Sequence, residues 1–304
     1  GAAEGPAPAP FHGVVRALVA GAVLASSPRS VGSAPGGEEA RIGAALEHAE
    51  RIAAETGATR LDAAAATALG TLLVSLSPAD EHGLRALERA GTLLAHGDAP
   101  SLEHEAEQHR ATVLLACGRW AEAIVHFRAA REAAHAERAG ELELLSTALE
   151  AMAELAAGDQ EAAEESCAAL GDARLTAARA RTAALGWVAR ALAALAGSDR
   201  ERAEDDLTQA ETRVREPDRE SSDAYVLVEV LGMLFDAAGG ALPDVTGPAA
   251  ALVRVAASHG FRAFYWFELL DAVLDHLPDR EAAQKMREAL AKLAPSFPRL
   301  RPGE

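Results

Sequence analysis

The hydrophobic positions of this chain recur at intervals of three and four residues, and the pattern itself repeats about every 40 residues, a period typical of helix-pair arrays. The clearest unit begins at Gly118 and continues with Ala123, Phe127 and Ala130. Spacings of four and three place the last three residues on one face of an α-helix. Similar triplets recur at Ile42/Leu46/Ala49, Gly83/Leu87/Ala90, Ala163/Cys167/Leu170, Ala203/Leu207/Ala210, Ala249/Val253/Ala256 and Ala282/Met286/Ala289.

Each triplet marks the second helix of a pair, and the apolar segment before its turn predicts the first helix. The alternating Val, Ile and Thr runs that are typical of strands are absent from the sequence, so the predicted fold class is all-α. Two second helices carry start signals: Ser77 before Pro78, and a capping box formed by Ser198 and Glu201. The predicted first helices cover residues 11–26, 58–76, 101–117, 141–157, 173–196, 222–238 and 261–276.

A single helix pair cannot bury its own apolar stripe, whereas stacked pairs share one continuous core. Residues 11–294 are therefore predicted to form an α-solenoid of about seven helix-turn-helix repeats. The ends are rich in proline and glycine, so residues 1–10 and 295–304 are predicted to be flexible.

Gly118, Ala123, Phe127 and Ala130 stand where the tetratricopeptide family places its turn glycine, close-packing alanine, aromatic residue and second alanine. The chain resembles that family, but the tryptophan and tyrosine usual in the first helix are missing, and the period is near 40 instead of 34. The longer period looks more like the superhelical sensor domains of the maltose-regulon activator type, found in large ATP-binding LuxR-type regulators. The resemblance implies a right-handed superhelix whose first helices line a concave surface.

The composition excludes several classes of protein. With 29 Lys and Arg against 46 Asp and Glu, the formal charge of −17 would repel a phosphate backbone, so direct binding to nucleic acid is not expected. About a quarter of the residues are alanine, which favours helices and lets them approach closely. No apolar run reaches the roughly 18 residues needed to span a bilayer. We expect a cytoplasmic protein without a membrane anchor.

The sequence contains no motif for a common catalytic site or cofactor. A phosphate-binding loop ends in Gly-Lys-Ser/Thr, but the only lysines, Lys285 and Lys292, precede Met and Leu. His104 and His109 are five residues apart, which places them about 140° apart around a helix, so they cannot bind one metal ion together. We interpret them as exposed polar residues. Cys117 and Cys167 are interpreted as buried thiols within helices. No metal, cofactor or catalytic residue is predicted.

Five aromatic residues lie within the segment 261–267, on a predicted first helix. They form either a cap that covers the end of the solenoid or an aromatic wall at one end of the concave surface. The repeat register predicts that this surface is lined by Thr112, Leu115, Met152, Leu155, Val188, Leu192, Tyr225, Val228, Phe264, Phe267 and Asp271. Alternatively, a tightly curved solenoid packs these residues against neighbouring helices.

Three hypotheses for function follow. The first is a regulatory or sensor module, part of a larger bacterial signalling or transcription-regulator polypeptide, that binds a protein segment or a small apolar effector in its groove. Acidic rims would favour neutral or cationic partners. The second is a stand-alone adaptor or scaffold. The third is an enzyme whose active site is built from dispersed residues. The oligomeric state is not predicted.

Overall fold

The computed structural model describes residues 100–215, 222–240 and 266–293, together with Arg85, Glu88 and Thr92. These residues are all-α: they form ten helices and no strand. The helices are α1 (Pro100–Ala116), α2 (Trp120–Ala136), α3 (Gly140–Ala157), α4 (Gln160–Ala168), α5 (Asp172–Ala177), α6 (Ala180–Ala196), α7 (Arg200–Arg213), α8 (Ser222–Ala238), α9 (Trp266–His276) and α10 (Arg280–Leu293).

The predicted first helices 101–117, 141–157 and 222–238 coincide with α1, α3 and α8 to within one residue. The predicted helices 11–26 and 58–76 lie outside the described residues, as do the two ends that were predicted to be flexible. The triplets that begin at Ile42, Gly83 and Ala249 also fall outside them. No described helix combines the length and the apolar character that crossing a membrane requires.

The predicted triplets form the buried faces of the second helices. Ala123, Phe127 and Ala130 of α2 are completely buried, and the triplets that begin at Ala163 and Ala203 are also buried. In α10, Met286 and Ala289 are buried and Ala282 is half-buried. The three- and four-residue spacing therefore identified the packed face of all four described second helices.

Four turns between helices share one backbone geometry. Gly118, Arg138, Gly158 and Ser198 have left-handed φ angles of 71°, 59°, 81° and 63°. After each of them, the next amide donates to the carbonyl five residues earlier, at 2.8–2.9 Å. This bond closes a Schellman motif, which satisfies carbonyl groups that the end of a helix leaves unpaired. The first three positions are evenly spaced and the interval to the fourth is twice as long, so the turns follow the same register as the triplets.

The capping box predicted at Ser198 is wrong by one residue. Ser198 occupies the left-handed turn position, and the side chain of Asp199 accepts a hydrogen bond from the amide of Arg202 at 3.2 Å. Asp159 accepts the equivalent bond from Ala162 at 3.1 Å. The helix start is displaced because the Schellman turn needs one residue before the cap.

The predicted first helix 173–196 is interrupted. Ala178 and Arg179 have extended backbones, which separate α5 from α6. The amide of Arg179, freed from the helix, donates to the carboxylate of Glu141 at 3.2 Å. Leu175 of α5 is completely buried and faces Gly186 of α6. The short helix thus packs against α6 instead of extending it.

The two central helices are α3 and α6. Every residue from Leu144 to Ala156 is buried, and α6 is buried over most of its length. Helix α3 packs against α2, α4, α6 and α9, while α6 packs against α3, α4, α5, α7 and α8. Helix α9 also contacts α1, and the last described helix, α10, packs against α8. The chain therefore folds back, so that α9 lies on helices from much earlier in the sequence.

The contact between Gly186 and Leu175 gives the first prediction. A Cβ at Gly186 would collide with Leu175 Cδ2, and the buried leucine has little room to move. Gly186→Ala should lower the free energy of unfolding by about 1–3 kcal/mol because of overpacking. In a Leu175→Ala background the same change should cost less, because the new methyl group then has space. Urea unfolding of the four chains measures both costs, and equal costs would contradict this contact.

Candidate binding surfaces

Most of the residues predicted to line a groove lie in the core. Six of the eleven residues are buried: Leu115 of α1, Met152 and Leu155 of α3, Val188 and Leu192 of α6, and Val228 of α8. This result agrees with the alternative in which these residues pack against neighbouring helices. Thr112 and Tyr225 are half-buried, and the Thr112 hydroxyl donates to the Gln108 carbonyl at 2.8 Å. Tyr225 lies near Glu229, and burial raises the pKa of its phenol.

The aromatic segment reaches the described residues only at its end. Trp266 is buried and Phe267 is half-buried, both at the start of α9. Phe264 lies outside the described residues, so its predicted position in the groove stays a prediction. Asp271 is exposed and pairs with Arg287 of α10 at 3.5 Å. The predicted surface is therefore not an open groove on α1 and α3, because α9 packs on these helices.

A cleft of about 150 Å³ opens where the ends of several helices meet. Its apolar lining includes Leu195 of α6, Phe235 of α8, Leu277 directly after α9 and Met286 of α10. The polar lining includes Arg200, which pairs with Glu204 at 2.7 Å, and Asp279, which caps α10 by accepting a hydrogen bond from the amide of Ala282. The cleft is mostly apolar, and its lining includes one basic and one acidic residue.

Ion pairs also follow the repeat register. Arg110 Nη2 lies 3.6 Å from Glu88 Oε1, and Glu150 Oε1 accepts a hydrogen bond from Arg128 Nε at 3.1 Å. The two pairs have the same separation along the chain, and the second lies one repeat period after the first with its charges exchanged. The equivalent position on α6 is Arg190. Charged residues recur every 40 residues, at positions 110, 150 and 190, within otherwise apolar first helices. The sequence prediction did not include this regular spacing of charges.

The second pair extends into a small network between α2 and α3. Glu150 Oε2 lies 3.0 Å from Arg131 Nη1, and Glu154 Oε1 lies 3.5 Å from Arg128 Nη2. Both glutamates are almost fully buried, whereas both arginines reach solvent. Burial is the largest influence on the two carboxyl groups and raises the pKa of each, although the arginines act in the opposite direction. This network joins helices and offers no open coordination site.

Arg190 connects three parts of the chain. Its Nη2 lies 3.1 Å from Asp206 Oδ1, its Nη1 donates to the Leu170 carbonyl at 3.2 Å, and it also pairs with Asp172. The guanidinium lies over the Trp187 ring, 4.5 Å from the ring centre. Asp206 is buried, and its pKa is raised by that burial against the opposing effect of Arg190. The arrangement connects α6 to α7, to the turn after α4 and to the first residue of α5.

The interpretation of His104 as an exposed residue is wrong. His104 is buried, and its Nε2 lies 3.4 Å from the Ser146 hydroxyl of α3. Burial lowers its pKa, and burial together with His104 and Arg181 lowers the pKa of the half-buried His109 to about 4. The packing of α1 against its neighbouring helices buries polar residues that the sequence pattern predicted to be exposed. Within the described residues, no cluster of side chains could hold a metal ion.

The two cysteines differ in environment. Cys167 is buried, and burial raises the pKa of its thiol to about 12. Cys117 is exposed, contrary to its predicted burial, because α1 ends at Ala116 and the residue enters the Schellman turn. Neither cysteine forms a disulfide.

No protein-family model matches the chain, and a search of curated proteins finds no significant relative. The repeat register, the cleft and the helix packing are therefore the features of the chain that bear on its function.

The second prediction concerns Arg190. Arg190→Ala leaves Asp206 buried, with Arg202 at 3.9 Å as its remaining cationic neighbour. The expected loss is about 3 kcal/mol of unfolding free energy, because an uncompensated buried charge is costly. Asp206→Ala in the same chain should recover part of that loss. Chemical denaturation measures each variant, with Arg119→Ala at an exposed pair as the control. A double variant less stable than Arg190→Ala would contradict the pairing.

The third prediction concerns pH. Glu150 and Glu154 have raised folded-state pKa values, so their contribution to stability is fully present below the unfolded pKa and is lost as pH rises through the folded values. A Glu150→Gln/Glu154→Gln chain should therefore gain stability relative to wild type over the range in which pH rises from the ordinary glutamate pKa of about 4.3 through the raised folded values. Urea unfolding across this range tests the trend, with the exposed Glu161→Gln as control. A constant offset would contradict the raised pKa values.

Proposed function

We propose that the chain is a tetratricopeptide-like repeat module, without catalytic activity of its own, that binds a protein segment or a small apolar effector. In this proposal it is the regulatory or sensor part of a larger bacterial signalling or transcription-regulator polypeptide. The observation that carries the proposal is the recurrence of three independent features in one register: the buried triplets, the Schellman turns and the charge-exchanged ion pairs.

This recurrence supports a solenoid because the three features have different structural roles and still share one spacing along the chain. The triplets fill the core, the turns set the helix connections, and the ion pairs join a second helix to the following first helix. Stacking equivalent units in this way produces a repeat scaffold, on which α9 folds back in this chain, and such scaffolds usually act by binding. The register supports the proposed right-handed superhelix of about seven repeats, of which the described residues include only part.

The cleft between α8 and the α9–α10 pair supports a binding role. Its volume of about 150 Å³ is smaller than the roughly 300–1,000 Å³ typical of sites for drug-sized ligands. A single large apolar side chain of a protein segment suits it better than a nucleotide. The charge of −17 favours neutral or basic residues around that anchor. Because the cleft is formed by both α8 and α10, an occupant would stabilise their packing.

The stand-alone adaptor remains the second proposal. Both proposals require the same binding site and differ in what surrounds this chain. A phosphate-binding loop or a helix-turn-helix in the same polypeptide would favour the regulatory module.

The fourth prediction tests binding at the cleft. A displayed library of short peptides, selected on the full chain, should yield sequences with one large apolar anchor flanked by neutral or basic residues. Ala282 lies in the cleft, so Ala282→Trp should fill it and weaken binding at least about tenfold. Ala121→Trp, on the exposed face of α2, is the matched control and should bind normally.

Fluorescence anisotropy of the selected peptides measures the affinities, and circular dichroism checks that both variants keep their helicity. Selected peptides that bind Ala282→Trp as well as wild type would place the site elsewhere. Failure to select any peptide would count against the binding role itself.

A further inference from the structure

The lining of the cleft changes from apolar to charged between its enclosed part and solvent. Phe235, Leu277 and Met286 line the cleft and are almost completely buried. Arg200 and Asp279 line it as well, and both are exposed. The charged groups therefore reach solvent, whereas the apolar lining is enclosed. A molecule that matches this arrangement has an apolar body and carries its polar groups at one end.

The apolar part of the cleft has room for one side chain of moderate size. The volume of the cleft is about 150 Å³. An engineered protein cavity of about this volume, lined by leucine, isoleucine and phenylalanine, binds benzene. The side chains of leucine, methionine and phenylalanine are of comparable size, whereas a long acyl chain or a nucleotide is too large. The volume therefore favours a small ligand with a single apolar group.

Arg200 retains hydrogen-bond donors for such a ligand. Its Nε donates to Glu204 at 2.7 Å, and neither of its Nη atoms has a hydrogen-bond partner within the described residues. Nη2 lies at the end of α8, since a Cβ built on Gly239 would be 3.2 Å from it. Both members of the pair with Glu204 are about half exposed, so that pair adds little to stability. The two Nη atoms can therefore donate to a carboxylate, the anion that a guanidinium binds in bidentate geometry.

Asp279 retains an acceptor on the same cleft. Its Oδ1 accepts hydrogen bonds from the amides of Glu281 and Ala282, at 3.1 and 3.0 Å. No other group in the described part of the chain bonds to its Oδ2. Because the two capping bonds fix the carboxylate at the start of α10, Oδ2 is a positioned acceptor for an ammonium group.

A ligand with both charges suits the cleft better than a ligand with one. The chain carries a charge of −17, and Glu204 lies beside Arg200, so an anion without a compensating positive group is repelled. A simple cation would use Asp279 and leave Arg200 without a ligand contact. A zwitterion has no net charge and can use both residues, which line one small cleft. An α-amino acid with an apolar side chain combines these properties.

We propose that the cleft binds a free apolar α-amino acid of the size of leucine, methionine or phenylalanine. Its carboxylate binds Arg200, its ammonium group binds Asp279, and its side chain lies against Phe235 and Met286. The inference rests on the proposed function, because it assigns the small effector of the same cleft. The lining comes from α6, α7, α8 and α10, so the bound amino acid connects four helices and stabilises their packing.

Isothermal titration calorimetry of the full chain with L-leucine, L-methionine and L-phenylalanine tests the proposal. The amino acid that binds most tightly is then compared with its N-acetyl derivative, which lacks the ammonium group, and with its amide, which lacks the carboxylate. Each derivative should bind at least about tenfold more weakly, because each loses a charged hydrogen bond. Glycine should show no detectable binding, since it has no apolar side chain.

Two variants assign the ligand charges to residues of the cleft. Arg200→Gln should weaken binding of the amino acid at least about tenfold and leave binding of the amide unchanged. Arg202→Gln is the matched control, because it makes the same change on α7 outside the cleft lining. Asp279→Asn keeps a capping side chain on α10 and should weaken binding of the amino acid but not of the N-acetyl derivative. Asp159→Asn makes the same change at the cap of α4 and should bind normally.

Several outcomes would overturn the proposal. The first is that none of the three amino acids binds the wild-type chain. An N-acetyl derivative that binds as tightly as the amino acid would assign the cleft to a peptide C-terminus, and an equally tight amide would assign it to a peptide N-terminus. Unchanged binding in Arg200→Gln would also contradict the assignment. The comparison of derivatives uses the wild-type chain, so it decides the question even if a variant fails to fold.

The library selection separates this proposal from the proposed function. Amino-acid binding that Ala282→Trp abolishes, with helicity retained by circular dichroism, would support both. Selected peptides that depend on Ala282, without binding of any amino acid, would retain the cleft as a peptide site and overturn the amino-acid assignment. Absence of both kinds of binding would overturn both proposals.

Discussion

The fold depends on the complete enclosure of two apolar helices, α3 and α6. Neither has a continuous polar face, so each must be covered on every side to keep its surface from water. Second helices cover part of each, the neighbouring first helix covers another part, and α9 returns from the C-terminal end to cover α3. The burial of the predicted groove residues on these helices follows directly, because a helix enclosed on all sides leaves no open wall for a ligand.

Enclosure also explains where the charges are found. A polar side chain on a fully buried helix needs a partner from an adjacent helix, since an unpaired buried charge is costly. Glu150 and Glu154 receive theirs from α2, and Arg190 receives Asp206 from α7. Each pair joins one helix of the stack to another and opposes sliding between them. The charges that belong to the buried helices are consequently structural connections, whereas the candidate cleft lies at helix ends.

The local features of the fold could be predicted from the sequence. The triplets identified the packed faces of α2, α4, α7 and α10, because helical periodicity directly determines which residues share a face. Gly118 and Gly158 occupy left-handed turn positions that favour glycine. The break at Ala178 and the shift of the cap from Ser198 to Asp199 were missed. The break depends on the contact between Leu175 and Gly186, and the shift depends on the hydrogen bond between the Schellman turn and the preceding helix. The helix propensities of single residues do not encode either contact.

The sequence by itself determined the fold class, the helix pairs and their repeat register, since all three arise from interactions between residues close in the chain. Only the tertiary structure decided what covers the first helices. Leu115, Met152 and Leu155 have the same apolar character whether a neighbouring helix, a ligand or α9 lies against them. The physical reason is that the hydrophobic effect requires an apolar surface to be covered but does not determine which element or molecule covers it. The return of α9 onto α1 and α3 is a long-range contact, set by how the helices stack, and the local sequence pattern does not predict it.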